Sequence, residues 1–137
     1  MRWIAIGIAI IVVALVPATA LGKEIRSATV CGANGCVVRD HPPQAIAMSD
    51  AFYTLAPART RFIRVRLQMD SGSRAWTVLW LPRERLIAYV GEGGRILFDR
   101  VGSVIQDAFR AAARGRTPLP APSSWAAAFR GGATCCT

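Results

Sequence analysis

The sequence predicts a small single domain of the α+β class that follows an export signal. Three observations predict it. The chain starts with an uncharged apolar run that ends in small residues. One segment alternates apolar and polar residues and is followed by three more segments of strand character between turn sequences, and a later segment repeats apolar residues at helical spacing. The expected domain is a disulfide-clipped β-hairpin, a four-stranded antiparallel meander and one C-terminal helix packed on the sheet.

The first twenty residues indicate export. Arg2 gives a positive start, residues 3–16 form an uncharged apolar run, and the small residues 18–20 follow Pro17, an order that is typical of a secretory signal peptide. The apolar run is shorter than the roughly 20 residues that a spanning helix needs. We therefore expect residues 1–20 to be cleaved and the protein to be secreted or extracytoplasmic, in the cell envelope. An uncleaved N-terminal membrane anchor is the alternative.

Size and charge limit what the remaining chain can be. Residues 21–116 are long enough for one α+β domain, and residues 117–137 are expected to form a Pro-rich extended segment and tail. The formal net charge is +9, and it falls to +8 once Arg2 is removed. This charge predicts salt-sensitive binding to an anionic envelope polymer or an anionic lipid surface, with another exported protein as a further candidate partner.

Two further points qualify the expected binding to an anionic polymer or lipid. The basic residues are not interleaved with aromatic residues as in a nucleic-acid module, so nucleic acid is not an expected partner. The positive surface can also be simply solvated, without any partner.

Two of the four cysteines predict a disulfide, because exported chains fold in an oxidising compartment. Cys31 and Cys36 enclose residues 32–35, whose two Gly and one Asn favour a turn. The flanking residues 27–30 and 37–39 are expected to form short antiparallel strands. The disulfide then lies at the tip of a hairpin.

The other two cysteines, Cys135 and Cys136, are adjacent near the end of the sequence, and their pairing stays open. A metal site that gathers all four cysteines is not expected, because the spacing fits no zinc pattern and the chain has a single His. A redox pair is not expected either, since catalytic redox cysteines usually have two residues between them rather than four. The sequence therefore predicts no metal site and no cofactor.

The segments after the hairpin have strand character. A connector over residues 40–57 contains two consecutive prolines, a stretch that suits one helical turn and an extended run. Over residues 63–69, apolar and polar residues alternate with a period of two. Turn sequences separate this segment from three further segments of strand character. The glycines 93–94 are expected to form a two-residue hairpin link. The predicted strands of the meander are 63–69, 75–81, 86–91 and 95–101.

A helix is expected over residues 103–114, where apolar residues recur at helical spacing. Ser103 and Gln106 fit a capping box at its start, and a glycine followed by three prolines ends it. Ser123 is expected to cap a last short turn over residues 125–129.

The expected turn lengths suggest a register, and the register assigns strand residues to faces. A turn centred on Gly72 puts Arg64 opposite Trp80, with the helix on the other, aliphatic face. Asp99 is expected on that aliphatic face near Ala88, exposed to solvent because its strand is at the edge of the sheet. The face of Trp80 then forms a candidate ligand face that contains Arg64, Arg66, Trp76, Trp80, Tyr89 and Arg100.

Three interpretations of this candidate ligand face stay open. The hairpin and the connector can fold over it as a second packing layer, with arginine stems lying across the rings. It can be an open aromatic and arginine platform for an anionic or aromatic ligand. It can also be a self-association surface.

No residue pattern predicts catalysis. His41 lies between Asp40 and two prolines, and no serine lies in a nucleophile-elbow motif. We therefore predict no catalytic residue and expect a non-enzymatic extracytoplasmic binding or interaction module with a basic surface. The alternative is a secreted protease inhibitor that presents the loop between Cys31 and Cys36, although that loop offers no bulky or charged side chain for a specificity pocket.

Overall fold

A computed structural model describes residues 24–48, 53–70 and 74–131. The predicted signal peptide and the two last cysteines, Cys135 and Cys136, lie outside these residues. The elements are β1 (Ile25–Gly32), β2 (Gly35–Asp40), β3 (Tyr53–Thr54), β4 (Ile63–Met69), β5 (Ala75–Leu81), β6 (Leu86–Val90), β7 (Ile96–Arg100), α1 (Ser103–Ala112) and α2 (Trp125–Arg130). Within the described ranges these strands form one antiparallel sheet in the order β2-β1-β4-β5-β6-β7-β3.

The disulfide-clipped hairpin is confirmed, and it belongs to the same sheet as the meander. β1 and β2 pair with Cys31 opposite Cys36, and these two cysteines form the disulfide. Gly35 has a φ of 105°, a left-handed value that glycine adopts readily because it has no Cβ. β1 also pairs with β4. The hairpin therefore extends the sheet sideways, so it does not form a layer over one of its faces.

The connector supplies a short 3₁₀ helix over Gln44–Ala47 and the edge strand β3. The Gln44 side chain accepts the N–H of Ile25 at 2.7 Å and donates to the Ile25 carbonyl at 3.0 Å. These two bonds fix the 3₁₀ helix to the start of β1. Ile46, at the centre of this helix, is consequently buried against the sheet.

The predicted four-stranded meander runs from β4 to β7. Its last link is longer than expected, because Val90 and Ile96 are the final pair and residues 91–95 lie between them. Gly93 and Gly94 both have left-handed φ values, 72° and 74°, inside a single 3₁₀ turn. A 3₁₀ turn needs more residues than a tight hairpin, so the predicted two-residue link is wrong.

The predicted register between β4 and β5 is wrong by one residue. Arg64 lies opposite Leu79 rather than Trp80, and Val65 lies opposite Val78. Residues directly opposite on antiparallel strands share a face, so this pairing gathers the buried aliphatic side chains of β4 with Val78 and Trp80. The expected register would have divided these apolar side chains between the two faces.

A C-terminal helix packed on the sheet is confirmed, but α1 packs on the face that contains Trp80, so its expected position on the other face is wrong. Phe109 is fully buried, and its ring stacks on Trp80 with the centroids 5.7 Å apart. The predicted capping box is wrong, since the cap residue is Gly102, which has no side chain that could cap the first turn. Gln106 is instead buried in the core, where it accepts from Trp80 Nε1 at 3.0 Å and donates to the Pro82 carbonyl at 3.1 Å.

The segment after α1, which we expected to be an extended tail, covers the opposite face of the sheet. Leu119 forms an antiparallel bridge with Phe62. Ser124 caps α2, one residue later than expected, and its Oγ accepts a backbone N–H at 3.1 Å. Trp125 then packs edge-on against Phe98 at a centroid distance of 5.3 Å. The buried residues of this second layer are Phe62, Leu79, Leu81, Leu86, Ala88, Phe98 and Ala128.

Replacing Phe109 tests the layer between α1 and the sheet. We expect Phe109→Ala to lower the free energy of unfolding by about 3–5 kcal/mol, because it removes a fully buried ring and leaves a cavity beside Trp80. Urea unfolding measures the change. Val104→Ala is the matched control, since Val104 lies on the same helix and is 70% exposed. Equal effects of the two substitutions would contradict this packing.

Candidate binding site

The candidate ligand face predicted from the sequence is divided between the two faces of the sheet. The observed pairings put its aromatic members on the side of α1 and its arginines on the side of α2, because residues opposite one another share a face. The structure therefore does not bring the predicted platform together. Its aromatic members are Trp76, Trp80 and Tyr89, and its arginines are Arg64, Arg66 and Arg100.

Two of these six residues hold the fold together. Trp80 is 5% exposed and is bonded to Gln106, so it belongs to the core. Arg64 is half-buried beneath α2, where its Nε donates to the Ala128 carbonyl at 2.8 Å and its guanidinium lies 5.7 Å from the centre of the Phe62 ring. Burial lowers the pKa of the Arg64 guanidinium. This side chain fastens α2 to the sheet.

The tip of the clipped hairpin is held by the segment that follows α1. The Asn34 side chain donates to the Gly115 carbonyl at 2.9 Å and accepts the N–H of Thr117 at 3.0 Å. The N–H of Ala33 donates to the Thr117 carbonyl at 2.7 Å. A side chain at Gly32 would collide with the same carbonyl. The loop is therefore fastened to the segment after α1, although Ala33 and Asn34 remain exposed at the surface.

Five arginines from three separate parts of the sequence line two adjoining grooves. One groove has a volume of about 590 Å³ and carries three of them, and the other has about 700 Å³ and carries two. Two prolines line both grooves, which makes the grooves neighbours. We name this surface the basic groove; it is formed by Arg61, Pro82, Arg83, Arg110, Arg114, Arg116 and Pro118.

Different elements place these arginines. Arg110 lies on α1, and Arg114 follows it at a spacing of four residues, which brings both to one side of the helix end. Arg83 lies in the turn between β5 and β6, Arg61 lies just before β4, and Arg116 follows α1. The groove forms only where the end of the helix meets these strand ends. Sequence spacing alone therefore predicts only that Arg110 and Arg114 lie close together at the end of α1.

Little negative charge balances the basic groove. Asp107 is its single acidic lining residue, and it pairs with Arg110 at 2.8 Å. Both side chains are largely exposed, so the pair contributes little to stability. Arg116 donates to the Asn34 carbonyl, while its buried Nε has no hydrogen-bond partner among the described residues. Across the same residues, the other three arginines of the groove have no acidic partner.

Asp99 is fully buried, contrary to the expectation that it would be wetted at an edge strand. The reason is that β3 pairs with β7, so that Tyr53 lies opposite Asp99 and β7 is not the edge. Tyr89 Oη donates to Asp99 Oδ2 at 3.0 Å. Burial, followed by hydrogen bonds with Asp99 and Tyr53, raises the pKa of Tyr89. The phenol therefore keeps donating its proton well into the alkaline range.

We expect Tyr89 to ionise above the usual tyrosine pKa of about 10. The raised pKa in the folded state means that the stabilising contribution of this phenol is complete below pH about 10 and is lost as the pH rises through the folded pKa. Phenolate absorbance of the wild type minus that of Tyr89→Phe isolates this group, and Tyr53→Phe serves as the comparison. A difference curve centred at or below pH 10 would contradict the assigned hydrogen bonds.

Comparison of the chain with protein-family models, with curated proteins and with solved structures found no match. Within residues 24–48, 53–70 and 74–131, no helix is long and apolar enough to cross a membrane. In the same ranges, no group of three or more side chains of the metal-binding types comes together. The functional argument therefore depends on the charge and shape of the surfaces themselves.

Proposed function

We propose that the protein is a non-enzymatic extracytoplasmic binding module that holds an anionic envelope polymer in the basic groove. One observation carries the proposal: five arginines converge on two adjoining, proline-lined grooves whose lining contains a single acidic residue. Four of these arginines, all but Arg110, have no acidic partner among the described residues. Three of the four, Arg61, Arg83 and Arg114, are exposed and can contact a ligand.

The chemistry of guanidinium groups favours carboxylates and phosphates as the ligand groups. Each guanidinium presents its N–H donors in a planar fork that binds such anions through two parallel hydrogen bonds. A polymer with repeated anionic groups would engage several arginines at once, so that individually weak contacts combine. A concave groove suits a chain-like ligand better than the flat surface of a bilayer.

An extracytoplasmic setting is supported by two features of the chain. The first twenty residues have the charge and apolar pattern of a signal peptide. The disulfide between Cys31 and Cys36 is compatible with an oxidising compartment. In that setting, the net charge, +8 once Arg2 is removed, would also attract anionic polymers over longer distances.

The contacts of the hairpin tip give no support to the alternative of a protease inhibitor. An inhibitory loop has to enter the cleft of its protease, whereas the polar groups of Ala33 and Asn34 are bonded to Gly115 and Thr117. These bonds occupy the polar groups that the tip could otherwise offer to a protease.

Removing two arginines of the groove tests the proposed function. We expect the protein to bind polyphosphate and polygalacturonate with an affinity that falls as salt rises, because the contacts are ionic. The double variant Arg83→Ala/Arg114→Ala should bind more weakly, and the slope of log affinity against log salt should fall by about 1 for each lost contact. Isothermal titration at several salt concentrations measures both quantities.

The matched control is Arg74→Ala/Arg95→Ala, which removes the same charge from two exposed positions outside the groove. Equal weakening by both double variants would mean that net charge alone causes binding, and this would overturn the assignment of the groove. Binding to vesicles rich in anionic lipid, without binding to either polymer, would identify a lipid surface as the partner instead. Absence of salt-dependent binding to any probe would contradict the proposal.

The proposed export has its own test. We expect protein recovered from the cell exterior to lack residues 1–20 and to carry Cys31 and Cys36 in oxidised form. Intact-mass measurement, before and after alkylation of free thiols, reports both features. A retained N-terminal segment together with fully alkylated cysteines would contradict an extracytoplasmic location.

A further inference from the structure

A small cavity on the α1 side of the sheet differs in chemistry from the basic groove. It has a volume of about 240 Å³ and opens between the 3₁₀ helix, β3 and the sheet. Three aromatic side chains, Tyr53, Trp76 and Tyr89, contribute to its lining, and aliphatic residues of β4, β5 and β6 complete it. We name it the aromatic cavity.

The described lining of the aromatic cavity differs in charge from the basic groove. The chain has 17 basic residues, yet neither Lys nor Arg is among the described residues that line this cavity. Among the residues of β4 to β7 that share the α1-facing side, Asp99 is the only charged one. Arg39 also belongs to that side, but it lies on β2 at the opposite edge of the sheet and donates to carbonyls at the end of α1.

Asp99 is connected directly to the wall of the cavity. It is fully buried, and its Oδ2 accepts the hydroxyl proton of Tyr89, whose ring lines the cavity. A carboxyl group that accepts a hydrogen bond from a tyrosine hydroxyl adds to the negative potential of that ring, which favours a cation in contact with the ring. The site thus combines aromatic walls with an acidic group bonded to one of them.

Large apolar side chains at the mouth of the cavity are exposed to solvent. Trp76 is 48% exposed, Met48 is 59% exposed and Tyr53 is 67% exposed. Such a group of exposed apolar residues around a concavity is typical of a binding site. These side chains offer apolar contact surface to a ligand at the mouth of the cavity.

We propose that the aromatic cavity binds an organic cation with an alkylated ammonium group, such as a quaternary ammonium. Aromatic walls attract such a cation through their ring faces, and the methyl groups of the ligand pack on the aliphatic floor. A compact hydrated ammonium or an anion would gain neither contact. The proposal does not depend on the basic groove, because the two surfaces share no lining residue.

A pair of ligands with the same shape and different charge tests the proposal. Choline and its neutral isostere 3,3-dimethylbutan-1-ol fill nearly the same volume, so only a site that recognises positive charge distinguishes them. We expect the protein to bind choline at least about five-fold more tightly than the neutral alcohol. Ligand-observed NMR titration with the full chain measures both affinities. Equal affinities, or no detectable binding of choline, would overturn the proposal.

Substitutions at the mouth of the cavity locate the binding. We expect Trp76→Ala to weaken choline binding at least about five-fold and Trp76→Phe to weaken it less, since the second variant keeps an aromatic face. Val104→Ala is the control, because Val104 is similarly exposed but lies on α1 away from the cavity lining. Unchanged choline binding in folded Trp76→Ala would contradict this site. The arginine variants of the basic groove should leave choline binding unchanged, so the two proposals fail separately.

Discussion

The antiparallel pairing of β4 with β5 decides which side chains face which helix. Side chains alternate between the faces of a sheet, so a shift of one residue would move the whole set of β5 side chains to the opposite face. The observed register puts the aliphatic residues of β4 beside Val78 and Trp80 under α1. The shifted register would place Trp80 with Arg64 and Arg66 instead, on the face opposite its partners Phe109 and Gln106.

The same register determines the chemistry of both proposed sites. It turns Arg64 and Arg66 toward α2, and it leaves Asp99 as the single charge that β4 to β7 present to the α1 side. Because β4 turns its arginines toward α2, no basic residue is among the described residues that line the aromatic cavity. The basic groove, in contrast, gathers arginines from turns and from the end of α1. Side chains in these segments do not alternate between the two faces of the sheet.

Much of the fold could be predicted from local patterns, because each pattern reports one physical preference. Alternation of apolar and polar residues identified the first strand of the meander, and strand character between turn sequences identified the other three. The glycines between Cys31 and Cys36 identified the clipped hairpin, and the helical spacing of apolar residues identified α1. The register could not be predicted, since residues 70–74 are compatible with more than one loop length. The role of Gln106 was also hidden, because its partners, Trp80 and Pro82, are distant in sequence. Both candidate sites require such distant residues to meet.

The register itself is open to a direct measurement. Nuclear Overhauser contacts of the Trp80 indole report which residues lie beside it in the folded protein. The pairing described here predicts contacts from this indole to the ring of Phe109, whose centroid lies 5.7 Å away, and cross-strand contacts from Trp80 to Ile63. Cross-strand contacts that instead connect Trp80 directly with Arg64, together with absence of those to Phe109, would contradict the register and with it the position of both proposed sites.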